Sequence, residues 1–155
     1  MITYTEGNLL TTNAQILVHQ TNCQGVMGAG LAKQIRAKYP NVYTAYKQLC
    51  STTAPERLLG TIQCIPVSEH TAICNLFGQK TYGRYGQHTD YIAFRKALTA
   101  LKIHMKQHDK TTVAFPKYIG CGLAGGDWNI IHNMLQNTFQ SDPDITCIIV
   151  HYTAK

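Results

Sequence analysis

At 155 residues the chain has the length of one domain, and it is long enough to bury a core without disulfides or metal. Fourteen Lys and Arg against eight Asp and Glu leave a formal charge of +6, a field that draws anions and is equally compatible with simple solubility. Six cysteines without a C-x-x-C pair, and no apolar stretch of signal-core or membrane-span length, argue against a disulfide scaffold and a spanning helix and make a cytoplasmic protein the expectation.

Ile2 to Tyr4 alternate apolar and polar and predict a first strand, ending at Glu6 and Gly7. Ile16, Leu17 and Val18 read as a buried strand, and Leu31, Ile35 and Tyr39 follow at helical spacing. Tyr39-Pro40-Asn41 breaks that helix, because a residue before proline is pushed out of helical conformation; Val42, Tyr46 and Leu49 restart a short one. Ser51 to Arg57 reads as a polar loop. Leu58 to Val67 and Thr71 to Phe77 read as strands joined across Ser68-Glu69-His70, an antiparallel hairpin that makes the sheet mixed. Gly78 to His88 has glycines and tyrosines without periodicity and reads as a loop. Tyr91, Phe94, Leu98, Leu101 and Met105 mark one face of a long basic helix. Val113 to Phe115 predict a strand, Trp128, Ile131, Leu135 and Phe139 a last helix, and Ile145 to Val150 a final strand. Six strands with interspersed helices predict an α/β fold: a three-layer α/β/α sandwich with a mixed, mostly six-stranded central sheet, built as a single domain over residues 1–155. The basic residues are scattered, grouped loosely at Lys33, Arg36, Lys38 and at Arg95, Lys96, Lys102, Lys106, so direct nucleic-acid binding is not expected.

Two segments share a design. QILVHQTNCQGVMGAGLAKQIRAKY, from Gln15 to Tyr39, runs from strand to helix through Gly25, Gly28 and Gly30; PKYIGCGLAGGD, from Pro116 to Asp127, joins the Phe115 strand to the Trp128 helix. Glycine lets the backbone turn sharply and lets N–H groups approach a ligand, while the helix that follows presents unpaired N–H groups and the positive end of its dipole. Both loops, and Gly78 to His88, leave strands at their carboxyl ends, where open α/β sheets bind ligands. The P-loop lysine and the full dinucleotide fingerprint are missing. The expected ligand is an anionic nucleotide held mostly by backbone. His19 and Cys23 alone do not make a metal site, and no metal or cofactor is expected.

Taken in order, EGNLL at Glu6 to Leu10, LVHQTNCQGVMGAGLA at Leu17 to Ala32, NLFGQ at Asn75 to Gln79 and PKYIGCGLAGGDW at Pro116 to Trp128 resemble the macro domain family, the ADP-ribose-binding module, over essentially the whole chain. The chain is more similar to the branch of the ADP-ribose 1''-phosphate phosphatases, the terminal ADP-ribose glycohydrolases and the DarTG antitoxins than to the MacroD-type deacetylases, whose polyglycine first loop it lacks. The resemblance implies a ligand-binding set of Gly7, Asn8, Leu9, Asn22, Gly28, Ala29, Gly30, Leu31, Ile119, Gly120, Cys121, Gly122 and Leu123. Gly28 to Leu31 would line one side of the diphosphate, Gly120 to Leu123 the other, and Asn22 would approach the distal ribose. Asn8 stands where many members have an Asp that hydrogen-bonds the adenine amino group; its amide oxygen can accept that bond without the charge. The implied partner is ADP-ribose, an ADP-ribose derivative or an ADP-ribosylated macromolecule. The implied activity is hydrolysis at the distal ribose, with phosphate removal from ADP-ribose 1''-phosphate the first choice. The alternatives are a glycohydrolase acting on modified protein or nucleic acid, and a non-catalytic reader.

Three residues are catalytic candidates. His19 matches the histidine implicated in the phosphatases and titrates near neutral pH when unperturbed, so it could move a proton or hold water; otherwise it is a satisfied histidine behind the loop. Lys80 falls near the lysine of the glycohydrolases, where an amine can form a Schiff base or stabilise negative charge, although its neighbours QKTYGRYG differ; otherwise it is solvated. Asp127 lies close to the glycohydrolase acid and is also a good helix N-cap. Cys23 and Cys121 sit on the loops without a spacing that pairs them with a base, and packing suffices to account for them. Tyr82, Tyr85 and Trp128 are candidates to stack on a ribose or base, or to wall the cleft.

Overall fold

The computed structural model describes residues 1–153; Ala154 and Lys155, the end of the expected domain, lie outside the described residues. Strands β1 (Ile2–Gly7), β2 (Ile16–Thr21), β3 (Ile62–Pro66), β4 (Ala72–Phe77), β5 (Thr112–Pro116) and β6 (Thr146–Tyr152) form one sheet in the order β1-β6-β5-β2-β4-β3. All neighbours are parallel except the antiparallel β3–β4 pair. That pair is the expected hairpin, closed by Ser68 Oγ, which accepts from the N–H groups of His70 and Thr71.

The helices are α1 (Gly30–Lys38), α2 (Pro40–Thr52), α3 (Pro55–Leu58), α4 (Tyr91–Gln107) and α5 (Trp128–Phe139). Strand alternation sorts them into layers. Ile16 and Val18 of β2 face one way and pack in a core with Phe94, Leu98 and Leu101 of α4 and Ile131 and Leu135 of α5. Leu17, between them, faces the other way and packs with Ile35 of α1 and Val42 and Tyr46 of α2. The result is a three-layer α/β/α sandwich with β2 and β5 inside the sheet and their carboxyl ends at the centre of one edge.

The expected break at Tyr39 is present: α1 ends at Lys38, Tyr39 is non-helical, and Pro40 opens α2 at its first position, where the missing N–H would be unpaired anyway. Two local expectations are corrected. Ser51 to Arg57 is largely helical: α2 continues to Thr52, and Pro55 starts the single turn α3, which buries Leu58. Strand β3 therefore begins at Ile62, after Gly60 turns the chain at φ +89° and donates to the Phe77 carbonyl. A 3₁₀ turn at Leu9–Thr11, capped by the Asn8 side chain, was also absent from the sequence reading. Among the described residues no helix is long and apolar enough to cross a membrane.

Candidate functional site

The carboxyl ends of β2, β4 and β5 open into a cleft with two contiguous compartments of about 420 and 310 Å³. Both are walled by Gln20, Ala29, Ala32, Gln79, Leu123 and Ala124. The larger adds Asn22, Gly28, Tyr82 and Arg84; the smaller adds His19, Gly30, Leu31, Ile119, Gly120 and Gly122. The two glycine loops thus face each other.

Asn22 builds the first loop. Its Oδ1 accepts from the N–H of Gln24 at 2.9 Å, and its Nδ2 donates to the Val26 carbonyl at 2.9 Å. The buried Tyr46 hydroxyl of α2 lies 2.7 Å from both the Asn22 carbonyl and its Oδ1. One Nδ2 proton is left for a ligand. At the end of this loop α1 begins without a side-chain cap and without an acid in its first turn, so its orphan N–H groups face the cleft uncompensated. In the second loop Gly126 donates to the Gly120 carbonyl at 2.8 Å, and a β-carbon on Gly126 would stand 2.5 Å from that oxygen.

The Gly78 to His88 segment joins the two. The Cys23 N–H donates to the Lys80 carbonyl, and the N–H groups of His88 and Thr89 donate to the Ala124 carbonyl. Gln20 crosses between them: its Nε2 donates to Gln79 Oε1 at 2.8 Å and to Thr89 Oγ1 at 2.9 Å, and Thr89 donates to the Gly120 carbonyl at 2.7 Å. Gln20 Oε1 has no hydrogen-bond partner and lies against Gly78 and Gly120. It is a strut between the two loops.

His19 is 2% exposed, and its protonation follows from its neighbours. Gln63 Nε2 donates to the Ala45 carbonyl, which can only accept, so Gln63 turns its oxygen to Asn75 and takes a bond from Asn75 Nδ2 at 3.1 Å. Asn75 Oδ1 therefore faces His19 Nε2, which must carry the proton. Nδ1 is left as a buried lone pair without a partner. Burial holds the imidazole neutral, lowering its pKa to about 4 against the opposing effect of the Asn75 bond.

The other candidates lie elsewhere. Lys80 turns its amine to Glu56 at 2.8 Å and lines neither compartment; that carboxylate raises the lysine's pKa and is itself lowered by it. Asp127 caps α5 by accepting from the Asn129 N–H at 2.8 Å and is exposed outside both compartments. Cys23 donates to the Gln79 carbonyl and Cys121 to that of Ile119, and burial pushes the two thiols up to about 12 and about 11. Gly7, Asn8 and Leu9 also lie outside the compartments: Leu9 is core, and Asn8 Oδ1 accepts from the Leu10 N–H at 2.9 Å. Trp128 stacks on His132, centroids 5.3 Å apart, away from the cleft. Sequence reasoning missed Gln20, Gln79, Thr89 and Arg84. Gln20 carried a signal, a long amide within an apolar strand; Arg84 is the one cation between Gly83 and Gly86.

A family model described as Macro domain matches residues 18–135. The DNA ADP-ribosyl glycohydrolase of Mycobacterium tuberculosis is 29% identical over 149 residues, covering 96% of this chain and 42% of that protein. The chain thus spans about two fifths of the length of that relative. The ADP-ribose 1''-phosphate phosphatase of Saccharomyces cerevisiae is 34% identical over 116 residues, 71% of this chain and 65% of the relative. Among solved structures, the macrodomain of Mycobacterium tuberculosis DarG superposes with a TM-score of 0.84 at 29% identity, covering 100% of this chain and 99% of that one.

Proposed function

Given that the chain belongs to the macro domain family, we propose that its cleft binds ADP-ribose derivatives and that the protein hydrolyses a bond at the distal ribose. The diphosphate lies between Gly28–Leu31 and Gly120–Leu123, held by backbone N–H groups and the α1 dipole, and the distal ribose lies where the two compartments meet, between Asn22 of the larger and His19 of the smaller. The observation that carries hydrolysis is the His19 Nδ1 lone pair, buried, unpartnered and fixed in one tautomer at the wall of the smaller compartment. It takes the proton of an attacking water and returns it to the departing oxygen. Burial keeps the imidazole unprotonated, and its lone pair open to a proton, at neutral pH.

The first substrate to test is ADP-ribose 1''-phosphate: water attacks phosphorus, the bond to the ribose oxygen breaks, and phosphate is released. In a single turnover, phosphate appears with wild type and slows about 100-fold in His19→Ala, while calorimetry with ADP-ribose shows the cleft intact. Binding without release from this or any ADP-ribosylated substrate overturns the hydrolase and leaves a reader.

A second reading, cleavage of ADP-ribose from a macromolecule, is favoured by the rim of the larger compartment, where Tyr82 and Leu123 are 55% and 60% exposed and leave room for a leaving group bigger than phosphate. Here Lys80 must exchange Glu56 for the substrate, so Lys80→Ala abolishes release of ADP-ribose and spares that of phosphate.

A further inference from the structure

Strands β3 and β4 run antiparallel and carry one cysteine each, Cys64 and Cys74, directly opposite in the register. The ladder bonds tell which kind of rung they occupy. The Phe77 N–H donates to the Thr61 carbonyl and the Val67 N–H to the Thr71 carbonyl, so, counting in twos, the bonded rungs of β3 are those of Gln63 and Ile65. The Cys64–Cys74 rung falls between them, a non-bonded position where facing α-carbons approach to about 4.5 Å and the side chains leave the sheet together. Both thiols lie on the face covered by α4: Cys74 is buried in that core, and Cys64 packs at its margin, half-buried on the edge strand.

That spacing is at the short end of what a disulfide spans, about 4.4–6.8 Å between α-carbons. Both cysteines are reduced here. The two sulfurs differ in character. A hydrogen bond from the Cys74 thiol lowers the pKa of Cys64, while the same bond and burial raise that of Cys74. Cys64 is thus the more exposed and the more readily ionised of the pair. The remaining cysteines are placed differently: Cys23 and Cys121 donate to carbonyls, Cys147 is buried on β6, and Cys50 lies beside Gly25.

We propose that Cys64 and Cys74 form a peroxide-sensitive dithiol, closing to a cross-strand disulfide that shifts the setting of His19. The Cys64 thiolate attacks hydrogen peroxide, the O–O bond breaks, and the products are a Cys64 sulfenic acid and hydroxide, which takes up the proton Cys64 had released. The Cys74 sulfur then attacks the Cys64 sulfur, the S–O bond breaks, and the departing hydroxide leaves with the Cys74 proton as water. The two thiols are oxidised by two electrons, and one peroxide is reduced to two waters.

The neighbouring rung is Gln63–Asn75, whose side chains stand on the opposite face of the sheet. These are the amides that fix the His19 tautomer: Gln63 accepts from Asn75 Nδ2, and Asn75 Oδ1 accepts from His19 Nε2. Strand β4 also pairs with β2, with Cys74 opposite Val18 and Asn75 opposite His19. A disulfide prefers about 5.5–6 Å between α-carbons, so closure spreads the narrow rung by about 1 Å, one residue from Asn75. The effect on turnover rests on the hydrolase reading; the disulfide does not.

The test treats the whole protein with a few equivalents of hydrogen peroxide, alkylates the remaining thiols and maps peptides without reduction. The expected product is a linked Cys64–Cys74 pair that dithiothreitol releases and that Cys64→Ser lacks. In the same samples the ring nitrogen resonances of His19 move on oxidation and return on reduction. Single-turnover phosphate release from ADP-ribose 1''-phosphate slows about tenfold, less than the roughly 100-fold of a full ångström of misplacement. Cys64→Ser keeps the turnover of the reduced protein and ignores peroxide. A link between other cysteines, such as Cys23 and Cys50, or a Cys64 sulfinic acid without a link, overturns the proposal, as does a disulfide that leaves the His19 resonances in place. A disulfide that moves His19 in a protein whose reduced form releases nothing from any ADP-ribose derivative keeps the redox pair and removes the hydrolase reading.

Discussion

Gly120 lies so close to Gln20 that a β-carbon there would stand 2.9 Å from the Gln20 Oε1, and 3.1 Å from the Thr89 hydroxyl. Its φ of +73° is also one that residues with a side chain rarely adopt. Gly120→Ala is expected to lose about 2–3 kcal/mol of stability in urea denaturation, through overpacking and backbone strain together. Shortening Gln20 in the same chain, as Gln20→Ala, removes the steric part only, so the double variant regains part of the loss; strictly additive effects would show that the strut does not press on the glycine.

Tyr46 is fully buried, and its hydroxyl tethers the first glycine loop to α2 through Asn22. Tyr46→Phe keeps the ring, which packs on Phe77 with centroids 6.0 Å apart, and removes only the tether. The expected cost is about 1–2 kcal/mol of stability, with a fall in ADP-ribose affinity because the loop is no longer held in its binding shape. Calorimetry beside thermal denaturation reads both.

The His19 imidazole titrates at about 4 in the folded chain and near 6.5 when exposed. The unfolded chain therefore binds this proton more readily. Its contribution to stability is whole above pH of about 6.5, is lost as pH falls, and is gone once the folded pKa near 4 is passed. The two values imply a swing of about 3 kcal/mol. Urea midpoints measured from pH 7 to pH 4 are expected to fall in wild type and to fall less in His19→Gln. Parallel curves would mean that the buried histidine already carries a proton.

Asp127 is a cap by geometry, exposed and bonded to the Asn129 N–H. Asp127→Ala is expected to cost about 1 kcal/mol, and Asp127→Asn to recover most of it. Neither changes single-turnover rates by more than about twofold; a hundredfold loss in Asp127→Asn would make it an acid of the reaction.

Cys23 and Cys121 hold thiols whose pKa values are pushed far above neutrality. Alkylation with iodoacetamide at pH 7.5, followed by peptide mapping, is expected to leave both unmodified and turnover intact.

The layers and the sheet were legible in the sequence because they rest on periodicity: two-residue alternation at Ile16 to Val18 against Leu17, and helical spacing from Tyr91 to Met105 and from Trp128 to Phe139. The glycine loops were legible because glycine at the exit of a strand has few other uses. Misread were the segment from Ser51 to Arg57, where polar composition suggested a loop, and the start of the next strand, expected at Leu58. There, proline at the first helical position and the burial of Leu58 decided for helix. The direction of a long side chain is not written in local pattern. Lys80 goes to Glu56 and Asn75 to His19 because of partners 24 and 56 residues away, and Gln20 finds Gln79 and Thr89 at similar distances along the chain.

The segment from Gly78 to Thr89 is bonded at its start to the first glycine loop, through the Lys80 carbonyl, and at its end to the second, through the Ala124 carbonyl and Thr89. Its ends are therefore structural, whereas Tyr82, Arg84 and Tyr85 between them project from a frame that the Thr81–His88 pair closes independently of their side chains. The side chains of Tyr82, Arg84 and Tyr85 are exchangeable between fixed glycines: their substitution alters what the mouth accepts, while Gly83, packed on His88, and Gly86, at φ +81° with its carbonyl against Gly125, keep the nucleotide cradle in shape. Altered acceptor preference can arise here by a handful of surface mutations, without a matching repair in the core.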